Sequence, residues 1–357
     1  MTDIAIIGTG LAGLTCGLTL QKAGHQVVWV DKSRGVGGRL ATRRLQGTCA
    51  DHGVRYWAPQ HPDLQKLTAT LTKQDILKPW PVNAYCYSRV EPIPQLTLQR
   101  LAQPIYCAQN GVNAIAKYLA ANQSILRQHR VVEIKQKTSS NWQLVCETPD
   151  GVETLTAEAV VIAIPAPQAV PLLAPHGFAQ SRLAQIEAVR YEPSLTLMLR
   201  YAAGAELPRP NAPGSLPTHL SAQGGWMISV DSAGPLAWMA LESSKDRPPD
   251  APLLVMQSQA DFAELYLDAT DLQTAVPPLL HTANQVLPGL PSPEQWQIHR
   301  WRYAFVKQSF PKATVTFEDA PIVCCGDWCG SAQWENLDAA YDSGLAAAEV
   351  LSQQFVI

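Results

Sequence analysis

The N-terminal stretch IAIIGTGLAGLTCGLTLQKAGHQVVWVD, residues 4–31, limits the possible folds of this chain more than any other. It begins with a short apolar run, Ile4–Ile7, continues with glycines and leucines at helical spacing, and ends with a second apolar run, Val27–Val30. Short continuous apolar runs are typical of parallel strands covered on both faces, and parallel neighbours need a crossover connection between them. The stretch therefore predicts a β-α-β unit at the start of an α/β domain.

The glycine cluster of this unit, GTGLAG at residues 8–13, has the spacing of a dinucleotide site. Gly8 makes the tight turn from strand to helix, Gly10 lets the backbone approach a pyrophosphate, and Gly13 lets helix and strand pack closely. The helix N-terminus then faces the pyrophosphate, and Asp31 at the end of the second strand can accept hydrogen bonds from ribose hydroxyls. The alternative, a glycine-rich turn without a ligand, leaves Asp31 and both flanking strands unexplained.

A second glycine cluster, KSRGVGGRLATR at residues 32–43, follows the acidic residue directly. A simple nicotinamide-dependent dehydrogenase is expected to continue at this point into another helix. The adjacent Gly37 and Gly38 can instead wrap a further part of the cofactor, with Arg39 or Arg43 near the pyrophosphate. The alternative is a flexible loop whose arginines are solvated.

A third element, VCCGDWCG at residues 323–330, lies near the other end of the chain. It places Asp327 directly after a predicted strand, Ala320–Cys325, and ahead of an alanine-rich predicted helix, Asn336–Gln353. Taken alone, Asp327 is explained as an N-terminal cap in an ordinary strand-turn-helix. Together with the two N-terminal clusters, it favours FAD bound by a nucleotide domain that is assembled from separated segments.

The middle of the chain predicts a second domain inserted into the first. Proline-rich segments 204–217 and 246–252 bracket two apparent strands, and residues 258–287 predict one or two helices broken by Pro277-Pro278. A chain of 357 residues is long for one core and suits two domains. We expect an FAD-binding domain made of residues 1–77, 105–180 and 297–357, and a substrate domain made of residues 78–104 and 181–296.

Composition and residue patterns exclude several classes of partner. Charged residues make up 16% of the chain, the net charge is −3 and no lysine or arginine run exceeds two residues, so no nucleic-acid surface is expected. The eight cysteines and eight histidines form no CxxC, HxxxH or HExxH pattern, which predicts reduced thiols and no metal site. The most apolar segment, residues 159–175, carries four prolines that rule out a spanning helix, and no signal peptide precedes the first strand. We therefore expect a soluble cytoplasmic protein with no membrane partner.

Five segments together resemble the renalase family of FAD-dependent oxidases. They are DKSRGVGGRLATRR at residues 31–44, DHGVRYW at 51–57, AVVIAIPAPQA at 159–169, HRWRYA at 299–304 and CGDWCG at 325–330. The first of these is similar to the RxGGR motif that many two-dinucleotide-domain flavoproteins share, whereas PAPQ, HRWRYA and GDWC are more specific. The resemblance implies an α/β fold, in which a Rossmann-type two-dinucleotide-domain FAD-binding domain carries an inserted antiparallel-sheet α+β substrate domain similar to that of p-hydroxybenzoate hydroxylase.

The same resemblance implies a non-covalent FAD site. In this class the Gly-Asp of the third element holds the ribityl chain and phosphates, while the N-terminus of the next helix faces the flavin. The residues implied to contact the cofactor are Gly8, Gly10, Leu11, Ala12, Gly13, Asp31, Lys32, Gly37, Gly38, Arg39, Arg43, Val132, Gly326, Asp327, Asn336 and Leu337.

The resemblance also implies an activity. Renalase-like enzymes oxidise 2- or 6-dihydro isomers of NAD(P)H to NAD(P)⁺, and O2 reoxidises the flavin with release of H2O2, so a nicotinamide dinucleotide and O2 are the expected partners. A dihydropyridine that loses hydride becomes aromatic and needs no general base, so the protein mainly has to stack and orient two rings. The sequence accordingly shows no clear Ser/His/Asp or paired-carboxylate constellation.

The expected substrate cavity is aromatic. Tyr56, Trp57 and Trp301 would supply flat walls for a nicotinamide ring, and Arg302 and Lys307 could attract a substrate phosphate. Isolated aromatic residues are usually part of a core, and surface cations are usually solvated or paired, so these alternatives stay open.

The chain departs from its relatives at one motif. They typically have DHGAQYF where this chain has DHGVRYW, so a cation at Arg55 and a larger ring at Trp57 are expected near the flavin. Both changes are expected to alter the reactivity toward substrate or oxygen. Two other functions stay open, a flavin amine oxidase or dehydrogenase that acts on a small amine, and an NAD(P)-binding flavoprotein without turnover.

Overall fold

A computed structural model describes residues 2–90, 93–138, 141–211, 224–247, 251–318, 320–330 and 336–354. The strands are β1 (Thr2–Ile7), β2 (Val27–Asp31), β3 (Thr42–Leu45), β4 (Thr48–Asp51), β5 (Lys78–Pro79), β6 (Val82–Val90), β7 (Ile93–Gln99), β8 (Tyr106–Cys107), β9 (Ile125–Arg127), β10 (Arg130–Thr138), β11 (Asn141–Thr148), β12 (Gly151–Ile162), β13 (Arg190–Arg200), β14 (Gly225–Asp231), β15 (Leu236–Leu241), β16 (Leu253–Ser258), β17 (Gln295–Gln308), β18 (Val315–Phe317) and β19 (Ala320–Cys324). The α-helices are α1 (Leu11–Lys22), α2 (Pro62–Lys73), α3 (Asn113–Leu119), α4 (Ala166–Leu173), α5 (Gln180–Glu187), α6 (Ala260–Glu264), α7 (Val276–Val286) and α8 (Asn336–Gln354). Short 3₁₀ turns cover Ala174–His176, Glu242–Ser244 and Gln273–Ala275.

The first sheet has a parallel centre in the order β9-β2-β1-β12-β19. The N-terminal half of β12 leaves this centre and pairs antiparallel with β11, which pairs in turn with β10, while β18 pairs with β19. Ile4 and Ile6 of β1 pack in one apolar cluster with α1 and α8, whereas Ala5 and Ile7 pack in another with α4 and α5. The prediction of a strand covered on both faces is therefore confirmed.

Helix α1 approaches its sheet closely because it carries glycines on the inward face. A Cβ on Gly17 would lie 2.1 Å from Cζ2 of Trp29, the buried tryptophan of β2. The indole N–H of Trp29 donates to the carbonyl of Gly13 at 2.8 Å. A Cβ on Gly344 of α8 would lie 2.5 Å from the carbonyl oxygen of Ala12, so α1 and α8 also lie in close contact. These approaches fix the start of α1 at the edge of the sheet.

The second sheet has the order β17-β13-β16-β15-β14-β6-β7, and its neighbours are antiparallel except for β14 and β6. One face packs under α7, where Leu197 and Leu199 belong to the same cluster as Leu279. The other face carries Met198 and Trp238, which pack with Ala50 of β4. The second sheet therefore presents one face to the segment that follows the glycine clusters.

Two sequence-based expectations differ from the structure. Pro277 and Pro278 do not break a helix but occupy the first turn of α7, where a missing N–H removes no helix hydrogen bond. Strand β17 pairs with β13 along the second sheet, so the predicted domain boundary at residue 297 falls inside a strand of that sheet. The proline-rich segments 204–217 and 246–252 lie partly outside the described residues. None of the helices in the described ranges is long and apolar enough to cross a membrane.

Candidate active site

The first glycine cluster forms a tight loop between β1 and α1 with open space at one position. Gly8 has φ +106°, and a Cβ there would lie 2.6 Å from the carbonyl oxygen of Ala163. A Cβ on Gly13 would lie 2.2 Å from the carbonyl oxygen of Gly8. A Cβ on Gly10 would meet nothing within 4 Å. The loop is therefore closed against the protein at Gly8 and Gly13 and open at Gly10, as a pyrophosphate that approaches the backbone requires.

The second glycine cluster lies directly on the first. Gly10 and Gly37 form a parallel β-bridge, and the N–H of Gly37 donates to the carbonyl of Thr9 at 2.9 Å. Gly38 has φ +56°, and a Cβ there would lie 3.4 Å from the Cα of Gly10. The two clusters thus build one glycine surface, and the second is not a free solvated loop.

Asp31 is held at this surface by Thr9, a residue that the sequence analysis did not single out. The carboxylate accepts hydrogen bonds from the Thr9 N–H at 2.8 Å, from the Thr9 hydroxyl at 2.5 Å and from the Ser33 N–H at 2.8 Å. A carboxylate has about four acceptor sites, so about one is left for a ribose hydroxyl. Thr9 occupies a variable position of the glycine motif, and a hydroxyl at this position is the feature of the sequence from which its hydrogen bond to Asp31 could have been predicted.

The third element meets the second through an ion pair between residues distant in sequence. Arg39 Nη2 donates to Asp327 Oδ1 at 2.6 Å, and Arg39 Nη1 donates to the carbonyl of Ala304 at 3.0 Å. Burial disfavours the guanidinium cation, but the charge of Asp327 outweighs this and raises the pKa of Arg39. The Gly326 N–H donates to the Ser343 hydroxyl of α8 at 2.9 Å, which fixes the turn before Asp327. The structure therefore brings the three predicted elements together.

The other residues predicted to bind the cofactor lie in several different elements of the fold. Leu11 and Ala12 are buried in the first turn of α1, Lys32 donates to the side chain of Gln168, and Arg43 is exposed on β3. Asn336 begins α8 with φ +52°, and Leu337 packs in the cluster around α3. Val132 lies in an irregular stretch of β10, at the edge of the first sheet. The contacts of these residues with the cofactor stay predictions.

Three rings lie together where the second sheet meets the segment after β4. The centroids of His52 and His299 are 4.9 Å apart, and Trp301 lies 4.6 Å from His299 and 5.4 Å from His52. The Trp301 indole N–H donates to the His52 carbonyl at 2.6 Å, and the Thr196 hydroxyl donates to the same carbonyl at 2.9 Å. Trp301 is half-buried, so one part of its ring faces accessible space. Trp301 was predicted from the sequence, whereas the two histidines around it were not.

Both histidines of this ring cluster are neutral at physiological pH. Burial, followed by the charge of His299 and of Arg43, lowers the pKa of His52 to about 4. Burial, followed by the charges of Arg43 and Arg300, lowers the pKa of His299 to about 4. The Nδ1 atom of His52 is buried without a hydrogen-bond partner among the described residues. The site is therefore apolar and uncharged at the rings, and it offers no obvious strong base.

The other two aromatic residues predicted to line the cavity differ in position. Trp57 is fully buried in the core beside α2, and its indole N–H donates to the Thr68 hydroxyl at 2.7 Å. A ligand atom cannot reach a side chain that water cannot reach, so the predicted role of Trp57 as a cavity wall does not fit its position. Tyr56 is half-buried and its ring centroid lies 6.3 Å from that of Trp80. Tyr56 stays a candidate wall residue.

The predicted phosphate-attracting cations are paired at the surface. Arg302 forms an ion pair with Asp268 at 2.8 Å, and Lys307 forms one with Glu192 at 3.2 Å. Both cations are exposed. The ion pairs therefore favour the alternative that Arg302 and Lys307 are paired surface charges.

A buried ionic network anchors the start of the DHGVRYW motif to the second sheet. Asp51 Oδ2 lies 2.5 Å from Arg247 Nη2 and 3.3 Å from Lys245 Nζ. Glu242 Oε1 lies 2.6 Å from Arg247 Nη2, and Glu242 Oε2 lies 2.8 Å from Lys245 Nζ. All four side chains are at most 2% exposed. Burial alone would raise the pKa of Asp51, but the charges of Arg247 and Lys245 lower it. Asp51 ends β4, which pairs with β3 in a separate two-stranded sheet, and residues 242–247 follow β15. The network therefore joins the β3-β4 hairpin to the second sheet.

The fold and this site define a flavin-dependent oxidoreductase. Residues 6–71 match the model of an NAD(P)-binding Rossmann-like domain, and residues 83–352 match that of the flavin containing amine oxidoreductases. The chain belongs to the family of flavin-containing amine oxidoreductases, and the predicted FAD-dependent enzyme class is confirmed.

Individual relatives agree with this family. Mouse (Mus musculus) renalase is 24% identical over 370 residues that cover 99% of each chain, so the predicted likeness to renalase is confirmed. The structure of wild-type putrescine oxidase bound to putrescine has a TM-score of 0.72 at 12% identity and covers 98% of this chain and 99% of its own. A second putrescine oxidase structure, of a variant, has a TM-score of 0.73 at 12% identity and covers 99% of both chains. At these identities the structural likeness shows the fold alone.

Proposed function

We propose that the chain oxidises dihydronicotinamide isomers, 2- or 6-dihydro-NAD(P), to NAD(P)⁺ with O2 as the electron acceptor. The observation that carries this proposal is the uncharged ring cluster of His52, His299 and Trp301, in an enzyme that resembles renalase along its whole length. Loss of hydride from a dihydropyridine needs ring orientation and no proton acceptor, and this cluster supplies the half-buried ring of Trp301, flanked by two neutral histidines, without a strong base.

Two buried carboxylates, Asp51 and Asp327, support the same proposal because each is paired with a cation. Asp51 is held by Arg247 and Lys245, and Asp327 is held by Arg39. A general base needs a free lone pair within hydrogen-bond reach of the substrate proton. Both carboxylates are engaged in ion pairs that hold the structure together. The chain's own contribution is therefore to bind, to orient and to exclude water.

The residues of the glycine surface fit FAD as the resident cofactor, which supplies two-electron redox chemistry when it is bound. Gly10 offers the open approach for a pyrophosphate, and Asp31 keeps about one acceptor site for a ribose hydroxyl. The ion pair between Arg39 and Asp327 joins the second glycine cluster to the third element. We assign the second sheet as a substrate domain similar to that of p-hydroxybenzoate hydroxylase, with Trp301 and Tyr56 on its cavity side.

Anaerobic mixing of the purified holoprotein with 2- and 6-dihydro-NAD(P) tests the proposal. We expect the flavin absorbance near 450 nm to bleach within seconds and to return with H2O2 release when air is admitted. Ordinary 4-dihydro-NAD(P)H serves as the matched control and is expected to react much more slowly. If neither isomer bleaches the flavin, the proposed activity is wrong.

The family match favours a second candidate, the oxidation of a small amine. A structural neighbour is a putrescine oxidase, and the matched family is that of flavin containing amine oxidoreductases. Peroxide release with putrescine or a monoamine, and none with the dihydronicotinamides, would support this candidate. Nucleotide-dependent thermal stabilisation without any flavin reduction would instead support a flavoprotein without turnover.

A further inference from the structure

Arg55 is held in place within the substrate region by four contacts. Its Nε donates to the Gln257 side chain at 2.6 Å, and its guanidinium carbon lies 5.0 Å from the Trp238 ring centroid and 6.0 Å from that of Phe305. The carbonyl of Arg55 accepts from Lys245 Nζ at 2.6 Å. The backbone is therefore fixed by the buried ionic network, and the guanidinium is fixed on the inner face of the second sheet.

The charge of Arg55 is not compensated by the protein in the part of the chain that the structure describes. No carboxylate there forms an ion pair with Arg55, whereas Arg39 pairs with one carboxylate and Arg247 and Lys245 pair with two each. Gln257, its hydrogen-bond partner, is neutral. Burial lowers the pKa of Arg55 to about 10, so the side chain is still a cation at neutral pH. A partly desolvated cation without a counter-ion is unfavourable, and a bound anion would relieve it.

The outer part of the guanidinium is free to bind a ligand. Neither Nη atom donates a hydrogen bond to a described residue, since the contact with Gln257 uses Nε. The residue is half-buried, and Phe305 beside it is 39% exposed. The two Nη groups of an arginine match the two oxygens of a carboxylate or phosphate in a fork geometry.

We propose that Arg55 binds an anionic group of the substrate, a carboxylate or a phosphate, and thereby excludes small cationic amines from the site. This proposal rests on the proposed function in taking the ring cluster as the substrate site. It deepens that function, because it assigns the substrate to compounds with a negative charge within reach of the nicotinamide ring. A protonated amine beside Arg55 would instead meet a like charge that no described carboxylate balances.

Binding of matched oxidised compounds to the holoenzyme tests this proposal without any turnover. Nicotinate is compared with nicotinamide, which differ at the ring carboxylate, and nicotinamide mononucleotide with nicotinamide riboside, which differ at the phosphate. Dissociation constants are read from the perturbation of the flavin spectrum. We expect the anion to bind about 10-fold tighter than its neutral partner in at least one pair, which identifies the group as a carboxylate or a phosphate.

Two variants and one control then assign the preference to Arg55. Arg55→Gln is expected to reduce the preference to less than about 2-fold, and Arg55→Lys is expected to keep part of it, because the charge stays and the fork is lost. Arg302→Gln, which removes an exposed and paired cation, is expected to keep the full preference. Flavin content and the melting temperature show that each variant is folded.

The proposal is overturned if wild type shows no preference in either pair, or if Arg55→Gln keeps the preference that wild type shows. These results are independent of the proposed activity, since dihydronicotinamide oxidation is measured by flavin bleaching and anion selection by binding of compounds that are already oxidised. Bleaching without anion preference rejects the role of Arg55 alone. Anion preference without bleaching rejects the activity alone.

Discussion

Arg247, Arg302 and Arg55 differ in burial and in the number of carboxylates that pair with them, and these differences determine the role of each side chain. Arg247 is buried with two carboxylates and has a raised pKa, Arg302 is exposed with one carboxylate, and Arg55 is half-buried with none that the structure describes. Buried pairs that lose one partner cost several kcal/mol, whereas exposed pairs contribute little. The environment of each arginine therefore predicts the consequence of its removal.

Asp327→Asn is expected to weaken FAD binding by roughly 10-fold to 100-fold, because a hydrogen bond to a charged group contributes about 1.5 to 3 kcal/mol. The substitution removes the charge that holds Arg39 between the glycine surface and the turn before α8. Titration of the apoprotein with FAD, followed by quenching of flavin fluorescence, measures the effect. Asp268→Asn breaks the exposed pair with Arg302 and should leave the FAD affinity unchanged. Equal affinities of the two variants would contradict the role of Asp327.

The ring cluster makes stability depend on pH. The pKa of His52 and that of His299 are lowered to about 4, below the usual value of 6.5, so the unfolded chain binds more protons between these limits. The free energy of unfolding should therefore fall as the pH is lowered from about 6.5 toward 4, by about 3 kcal/mol for His52. Urea denaturation at several pH values measures the slope. His299→Asn should flatten it and the exposed His281→Asn should not; an unchanged slope in the first would refute the assignment.

At the scale of the elements, the sequence predicted strands and helices best where a residue type has only one structural role. The apolar run Ile4–Ile7 predicted a doubly covered strand, which is confirmed, whereas a flexible loop stayed open for the second glycine cluster until the structure showed its contact with the first. Pro277 was misjudged because proline breaks a helix interior but suits a helix start, and the local sequence does not distinguish the two. The sequence could not predict how deeply Trp57, His52 and Arg55 are buried, because the burial of each side chain depends on partners from remote strands.

The close approach of α1 to β2 yields a test at this scale. Gly17→Ala would usually stabilise a helix by about 0.5 to 1 kcal/mol. Here the added Cβ would lie 2.1 Å from the Trp29 ring and 2.7 Å from Cδ1 of Ile6, so we expect a loss of about 2 kcal/mol in the free energy of unfolding. Gly35→Ala, where a Cβ meets nothing within 4 Å, should change stability by less than about 0.5 kcal/mol. Urea denaturation compares the two; a stabilised Gly17→Ala would disprove the packing argument.

At the scale of the whole molecule, the buried network of Asp51, Glu242, Lys245 and Arg247 links the β3-β4 hairpin, which follows the glycine clusters, to the second sheet. Glu242→Gln leaves two buried cations with one carboxylate, and we expect it to lower the free energy of unfolding by about 3 to 5 kcal/mol. Asp246→Asn breaks the neighbouring exposed pair with Lys78 and should cost about 0 to 1 kcal/mol. Chemical denaturation followed by tryptophan fluorescence gives both values. Similar costs for the two variants would show that the network does not stabilise the link between the hairpin and the second sheet.

The strand order of the first sheet also has a consequence for the making of the protein. Strand β1 begins at Thr2, but its neighbour β12 is flanked on the other side by β19, Ala320–Cys324, and α8 then covers α1. A ribosome that adds about 5 to 20 residues per second needs roughly 20 to 70 seconds for the chain. Through most of that time, the part of α1 that packs on α8 is uncovered and Arg39 lacks Asp327. The ion pair between Arg39 and Asp327 can therefore form only after the segment that carries Asp327 has been made, and we expect flavin to bind after that point.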